Sequence, residues 1–461
     1  MSNSEEIIQE NKMGIMPVKK LIFNMSVPMM LSMLVQSLYN IVDSIFVARL
    51  SENALTAVSL AFPLQMLPIA VGGGTGVGIN ALLSKALGEK DYKKVNDTAN
   101  NGGFLFILSY IVFLLIGIFA IKPFYSGQLK DSNVEIMDFG VSYLSIVMIF
   151  SFGLFSQFYF ERLLTSTGRT FYSMISQMTG AITNIILDPI LIFGLLGMPK
   201  MGVSGAAVAT VSGQCLAGLL AFLFNCKYNH EVKMSFKGFK PNGHIIKRIY
   251  QVGVPSILMQ SIGSVMTYFM NLILIAFSST ATAVFGVYFK LQSFFFMPIF
   301  GLNNGITPII AYNYGAKNRK RMIKTIKFSM FIAFMFMLAG FVVFQMIPQV
   351  LLGFFDASDE MIKIGSVALR VIAFHFLIAW FCIIAGTVFQ ALGKAIYSLI
   401  VSVMRQLVVL LPAAYLLAHF GGLNAVWWAF PIAELMSFAV STVCLINIYR
   451  KIIKPLPEGN E

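Results

Sequence analysis

Residues 37–50 read SLYNIVDSIFVARL, an apolar run with a single carboxylate, Asp43, set inside it. A charge at the centre of a bilayer costs about 2.5–3.5 kcal/mol on insertion scales, so a carboxylate there demands a polar chamber to face. The apolar run extends over 20–49, and a span needs only about 20 such residues. Eleven more follow, at 55–84, 99–122, 138–165, 170–197, 203–226, 248–277, 283–313, 325–352, 363–391, 395–420 and 423–449. The chain has 461 residues, of which 57% are hydrophobic and 11% charged; soluble domains carry about 25% charge. The expectation is an all-α membrane protein with twelve transmembrane helices. A large soluble helical core would need polar outer faces, and most of these segments show none.

The formal charge of +13 then reports topology, because Lys and Arg are enriched in cytoplasmic loops. Basic residues gather at Lys19/Lys20, at Lys90/Lys93/Lys94, between Lys227 and Arg248, from Lys317 to Lys324, and at Arg450/Lys451/Lys454. The opposite loops hold KDSNVEIMD and FDASDEM, which lean acidic. Both termini are therefore expected in the cytoplasm, with the chain crossing the cell membrane many times. The opening MSNSEEIIQENK is polar and mixed in charge, unlike a secretory leader. No aromatic-basic motif for nucleic acid is present. Cys215, Cys226, Cys382 and Cys444 lie in or beside apolar segments without metal-ligand spacing, so packed free thiols are expected. No cofactor is implied beyond a coupling ion.

The chain also repeats itself. SVPMML at Ser26–Leu31 resembles GVPSIL at Gly253–Leu258, TAVSLAFPLQ at Thr56–Gln65 resembles TAVFGVYFKLQ at Thr282–Gln292, and GRTFYS at Gly168–Ser173 resembles GKAIYS at Gly393–Ser398. Three pairs in one order at a near-constant offset indicate a duplicated half of six spans. Six is even, so both halves face the same way and are related by a pseudo-two-fold axis along the membrane normal. The expected organisation is an N-lobe at 1–226, a cytoplasmic linker at 227–247 and a C-lobe at 248–461.

The halves differ in their acids. Asp43 corresponds to Met270, and Asp188 to Ala413 or Leu411, so the duplicated fold can be built without either carboxylate. Gln36, Asn40 and Asp43 stand at i, i+4 and i+7, one face of a helix; Gln177, Asn184 and Asp188 do the same on the fifth span, and Thr210 and Gln214 share a face on the sixth. Converging oxygens of Asp, Asn and Thr suit a hard cation such as Na⁺, and sheltered carboxylates can carry protons instead. The plainer reading is that these faces only hydrogen-bond neighbouring helices. Pro189 removes a backbone donor next to Asp188, which makes either a working bend or a static kink.

Asp43 on the first span, NIILDPILIFG on the fifth, the GVSGAAVAT start of the sixth and two six-span lobes together resemble the MATE family of multidrug and toxic-compound extruders, over about residues 17–450. The resemblance implies a V-shaped antiporter that expels amphipathic organic compounds in exchange for Na⁺ or H⁺. It is nearest to the bacterial DinF-like branch, whose cation site falls here on Asp43, Asn184, Asp188 and Thr210, with Gln36 and Tyr39 at further polar positions. The seventh and tenth spans lack the acids that other branches use. The implied partners are a small organic substrate and the lipid bilayer, with the chain acting as a monomer.

Outside these positions, Glu161 and Arg162 suggest a local ion pair or hinge contact. Glu434 aligns with Gln214 and is expected to pair with Arg405, with a charge facing the substrate as the alternative reading. Lys290 has no assigned role beyond a carbonyl or carboxylate partner, and His375 is expected to be hydrogen-bonded. The glycines of VGGGTGVGIN (Val71–Asn80) lack a phosphate-loop ending and suit close helix approach. Met66, Met259, Phe294 and Phe295 are candidates to line an adaptable apolar cavity. The alternative function is a lipid-linked oligosaccharide flippase of the same superfamily, disfavoured by the few intramembrane cations, chiefly Lys290, Arg370 and Arg405. An intramembrane enzyme would need motifs that are absent, including His-Glu-x-x-His and Gly-x-Ser-x-Gly.

Overall fold

Long apolar segments in lipid must satisfy their backbone internally, and helices do so. The computed structural model describes residues 10–129, 134–234, 239–355 and 357–459, and every regular element among them is helical. Ten helices are long and apolar enough to cross a membrane, and two bent pairs bring the number to twelve. In order the spans are Val18–Ala48, Glu52–Gly88, Tyr92–Phe119, the pair Val134–Ile149 and Phe152–Ser166, Thr170–Phe193, Val203–Tyr228, Gly243–Ile275, Ser279–Gly315, Arg319–Met346, the pair Asp359–Ala373 and Phe376–Ala391, then Ala395–Val426 and Ala429–Ile453. Parts of the acidic loops (130–133 and 356) and of the expected linker (235–238) lie outside the described residues, as does most of the opening MSNSEEIIQENK.

Local signals recur from one half to the other. Ser51 and Ser278 each cap the following span, accepting from Ala54 N and Ala281 N at 3.0 Å. Asp91 and Asn318 cap the third and ninth spans in the same way, accepting from Lys94 N and Arg321 N at 3.0 Å. Such side-chain acceptors satisfy amides that a helix start leaves open. The residue before each of these last two caps, Lys90 and Lys317, adopts the left-handed conformation, with φ of 58° and 55°. The fourth and tenth spans break at matching places and bend by 41° and 51°. Other features are not duplicated: the eleventh span relaxes into a π-helix over Met404–Leu410, and the twelfth ends in another over Tyr449–Ile453.

The two six-helix lobes meet through small residues, and the meeting is pseudo-symmetric. A Cβ on Gly74 would strike Ile257, and one on Gly301 would strike the Met30 backbone. A Cβ on Gly78 would run into the Ile249 carbonyl, and one on Gly305 into Ser26. Gly88 faces the Tyr312 carbonyl and Gly315 the Lys85 carbonyl. The second span thus lies on the seventh as the eighth lies on the first, an isologous arrangement within one chain. The glycines of Val71–Asn80 serve close helix approach, as their spacing suggested. All these approaches lie in the half of the molecule that carries the basic loops, here called the basic end. Arg162 reinforces them by reaching the eighth span, its Nη1 donating to Asn304 Oδ1 at 3.0 Å, while Glu161 accepts from Gln157 at 3.0 Å. These side chains therefore reach in different directions; the hinge contact belongs to Arg162.

Candidate cation site in the first lobe

The first and fifth spans start at the basic end, and both acids sit near their far ends. At 1.5 Å per residue, Asp43 is about 38 Å along its helix, deep in the half away from the glycine seam. The helices bring the two acids together: the carboxyl groups of Asp43 and Asp188 are close neighbours, each within reach of the other. Asp188 is fully buried and Asp43 half-buried. Each keeps one oxygen, Oδ1, with no protein partner.

Asn184, one turn before Asp188, links the acids to the sixth span. With its amide oxygen toward Thr210, it accepts from Thr210 N at 3.0 Å and Thr210 Oγ1 at 3.2 Å, while its nitrogen donates to Asp188 Oδ2 at 3.3 Å. That orientation is the one that gives every atom a partner of the right kind. Close packing of the fifth and sixth spans makes the link possible: Gly213 lies against the Gly180 carbonyl, where a Cβ would not fit. The fifth span runs unbroken through Pro189 as one helix, Thr170–Phe193; the missing donor falls in the turn that carries Asp188.

The other expected residues divide. Tyr39 lies near Gln36 and within electrostatic reach of both acids. Asn40 stands at an exposed position one turn before Asp43. Gln177 is about 16 Å along the helix axis from Asp188, too far to serve the acid pair. Gln214 is half-buried, one turn beyond Thr210. Sequence reasoning missed Tyr143 and Gln65. Gln65 Nε2 donates to the Tyr143 hydroxyl at 3.3 Å, and Tyr143 is fully buried beside Asp43, Tyr39 and Asp188. Gln65 is an amide inside a long apolar helix, the signal that singled out Gln36; it was read only as part of a repeat.

The second lobe has different chemistry in the corresponding place. Arg405 Nη1 lies 3.3 Å from Glu434 Oε2, as their positions suggested, with Glu434 only 2% exposed. Arg405 sits on the π-helix, and such segments recur where a helix side chain is re-aimed. His375 stands at the bend of the tenth span and its Nδ1 lies 2.6 Å from the Ile372 carbonyl. Lys290 lies 5.9 Å from the Phe355 ring centroid. Phe295 packs against Phe344 and Phe376 inside the lobe. All four cysteines are free.

Residues 28–190 and 255–416 match the family model described as MatE, one stretch in each half. The chain is similar to "Multidrug export protein MepA" of Staphylococcus aureus (strain MRSA252), 28% identical over 442 residues and 94% of each chain, and to the protein of that name from Staphylococcus haemolyticus (strain JCSC1435), 29% identical over 418 residues and 90% of each. Among solved structures it resembles one described as the outward-facing conformation of a multidrug resistance MATE family transporter of the MOP superfamily. The TM-score is 0.91 at 26% identity, covering 97% of this chain and 99% of the other. It also resembles a MOP superfamily transporter from Pyrococcus furiosus, with a TM-score of 0.86 at 27% identity, covering 96% and 99%.

Proposed function

The chain belongs to the MatE family of membrane transporters, which are not enzymes, and from that premise we propose that it exports amphipathic organic compounds in exchange for Na⁺ or H⁺ taken at Asp43 and Asp188. The observation that carries this reading is the meeting of the two carboxyl groups, each with an oxygen left over. Two carboxyls this close can bond to each other when a proton is shared between them, because carboxylates accept and do not donate. A Na⁺ held by both acids, with Asn184 and Thr210 beside them, would replace that proton. Either occupant leaves the pair with one net negative charge.

Emptying the pair sets two like charges side by side in the membrane, which is costly. The empty site therefore favours whichever state refills it or brings an organic cation nearby. Ion and substrate displace one another through their different affinities for the two access states. The lobes 1–226 and 248–461, joined by 227–247, rock about the glycine seam. The basic end is cytoplasmic, with both termini on that side of the cell membrane, and the chain works as a monomer.

The test is uptake of a fluorescent organic cation in proteoliposomes, with sodium and pH gradients imposed separately. One gradient or both should drive transport, and Asp43→Asn should reduce it to the level of empty vesicles while the protein still elutes as a single peak. Undiminished, gradient-driven transport by Asp43→Asn refutes the proposed site.

A further inference from the structure

The residues just before the first span are tied to both lobes at once. Asn11 caps a short helix, Lys12–Ile15, and accepts from Met13 N. On the first lobe and the linker that follows it, Asn11 Nδ2 donates to the Thr167 carbonyl at 3.0 Å and to Glu231 Oε1, and Lys12 Nζ donates to Asn24 Oδ1 at 2.6 Å. Glu231 is held in turn by Arg169, at 3.8 Å. On the second lobe, Arg321 Nη2 donates to the carbonyls of Met13 at 3.1 Å and Met16 at 2.6 Å, and Asn313 Nδ2 donates to Met13 O at 3.3 Å. These are carbonyls that a helix end leaves open, and a cation there also suits the helix dipole. Gly14 presses on Tyr312 so closely that an added Cβ would lie 3.0 Å from its hydroxyl. Met13 is fully buried and Arg321 is 3% exposed.

The other end of the chain is docked differently. Arg319 and Lys320 hold Pro457 and Glu458 through backbone and side-chain bonds, all within the second lobe. That contact survives any motion of one lobe against the other. The bonds of residues 11–16 to Arg321 and Asn313 do not, because those partners belong to the second lobe. Nor is the strap sealed in: clefts of about 240 and 230 Å³ flank it, one lined by Asn11, Glu231 and Tyr312, the other by Ile15 and Arg321.

We propose that residues 11–16 are a latch that clamps the lobes together at the basic end, and that its release from Arg321 and Asn313 is a required step in opening that end. The latch adds to the glycine seam a set of polar bonds that must all break together. It rests on the reading that the lobes rock.

The test places spin labels at Gln128→Cys and Gln349→Cys, exposed positions on the two lobes at the end away from the latch, with the four native cysteines replaced by alanine. Wild-type latch protein should show a dominant long distance and a minor short one, exchanged by ion and substrate. Arg321→Met and Asn313→Ala should each enlarge the short-distance population, by about fivefold for each hydrogen bond to residues 11–16 lost. Asn313→Ala removes a single bond to the latch and keeps the test open if Arg321→Met fails to fold. Distances that respond to ion and substrate but are unchanged in Asn313→Ala overturn the latch alone. A single distance under every ion and substrate condition overturns the rocking reading, and the latch with it.

Discussion

Asp43 and Asp188 are separated by 145 positions in sequence, and each has a plain reason to be turned inward: a carboxylate facing lipid is expensive. That cost names the residues but not their meeting, which is set by how the first span lies on the fifth. The same holds for Arg405 and Glu434, whose pairing yields a prediction at this scale. Removing one partner of a buried ion pair strands the other, at a cost of up to about 3–5 kcal/mol, whereas removing both can be neutral. Arg405 is 31% exposed at its side chain and Glu434 3%, so solvent softens the penalty and the larger loss follows removal of the arginine. Arg405→Leu should melt at a lower temperature than the double variant Arg405→Leu/Glu434→Leu. A thermal melt of both in detergent measures the difference, and equal melting temperatures would mean that stranding Glu434 carries no penalty.

Among the helices, glycine is where position matters most. At Gly78 the nearest obstacle is a backbone carbonyl, that of Ile249, which cannot rotate away as a side chain can. Gly78→Val should therefore wedge the second span off the seventh and shrink the population closed at the basic end, by tenfold or more, about 1.4 kcal/mol. Gly127 has open space around it, and Gly127→Ala should leave the same distance distribution unchanged; a Gly78→Val distribution like the parent's would show that the seam does not close that end. The repeats legible in the sequence extend to the smallest features, the paired caps and the two bends. The bends themselves left no proline or glycine at Phe150–Ser151 or Phe374–His375. Apolar length alone reads such a region as one straight span.

For the whole molecule, the latch makes a pH prediction outside the membrane. Burial, with repulsion from Arg169, holds the Lys12 amine down at about 8 despite the attraction of Glu231; burial pushes Glu231 up, against its bond from Asn11 and the charges of Arg169, His230 and Lys12. A lysine whose folded-state pKa lies below its ordinary 10.5 binds fewer protons folded than unfolded between those two values. Its contribution to stability therefore rises with pH from about 8 to 10.5. Lys12→Gln should remove that rise. Melting temperatures of parent and variant, compared across the window, read it directly, and parallel curves would show that Lys12 is not buried against Arg169 and Glu231 in the membrane-embedded protein.

Hydropathy and the positions of basic residues determined by themselves that this is a twelve-span helical membrane protein, because transfer of apolar groups into lipid depends on composition over about 20 residues and not on contacts. The duplication was equally plain, since both halves kept their Val-Pro, Thr-Ala-Val and Gly-turn signals. Asp43, Asn184, Asp188 and Thr210 stood out as polar residues in apolar spans, and the family resemblance grouped them. Only the tertiary structure showed how they meet, added Tyr143 and Gln65 beside them, and laid residues 11–16 across both lobes. Those outcomes depend on which helix faces which, and that is decided by close packing of backbones at Gly180/Gly213 and along the glycine seam, where a single Cβ separates contact from clash.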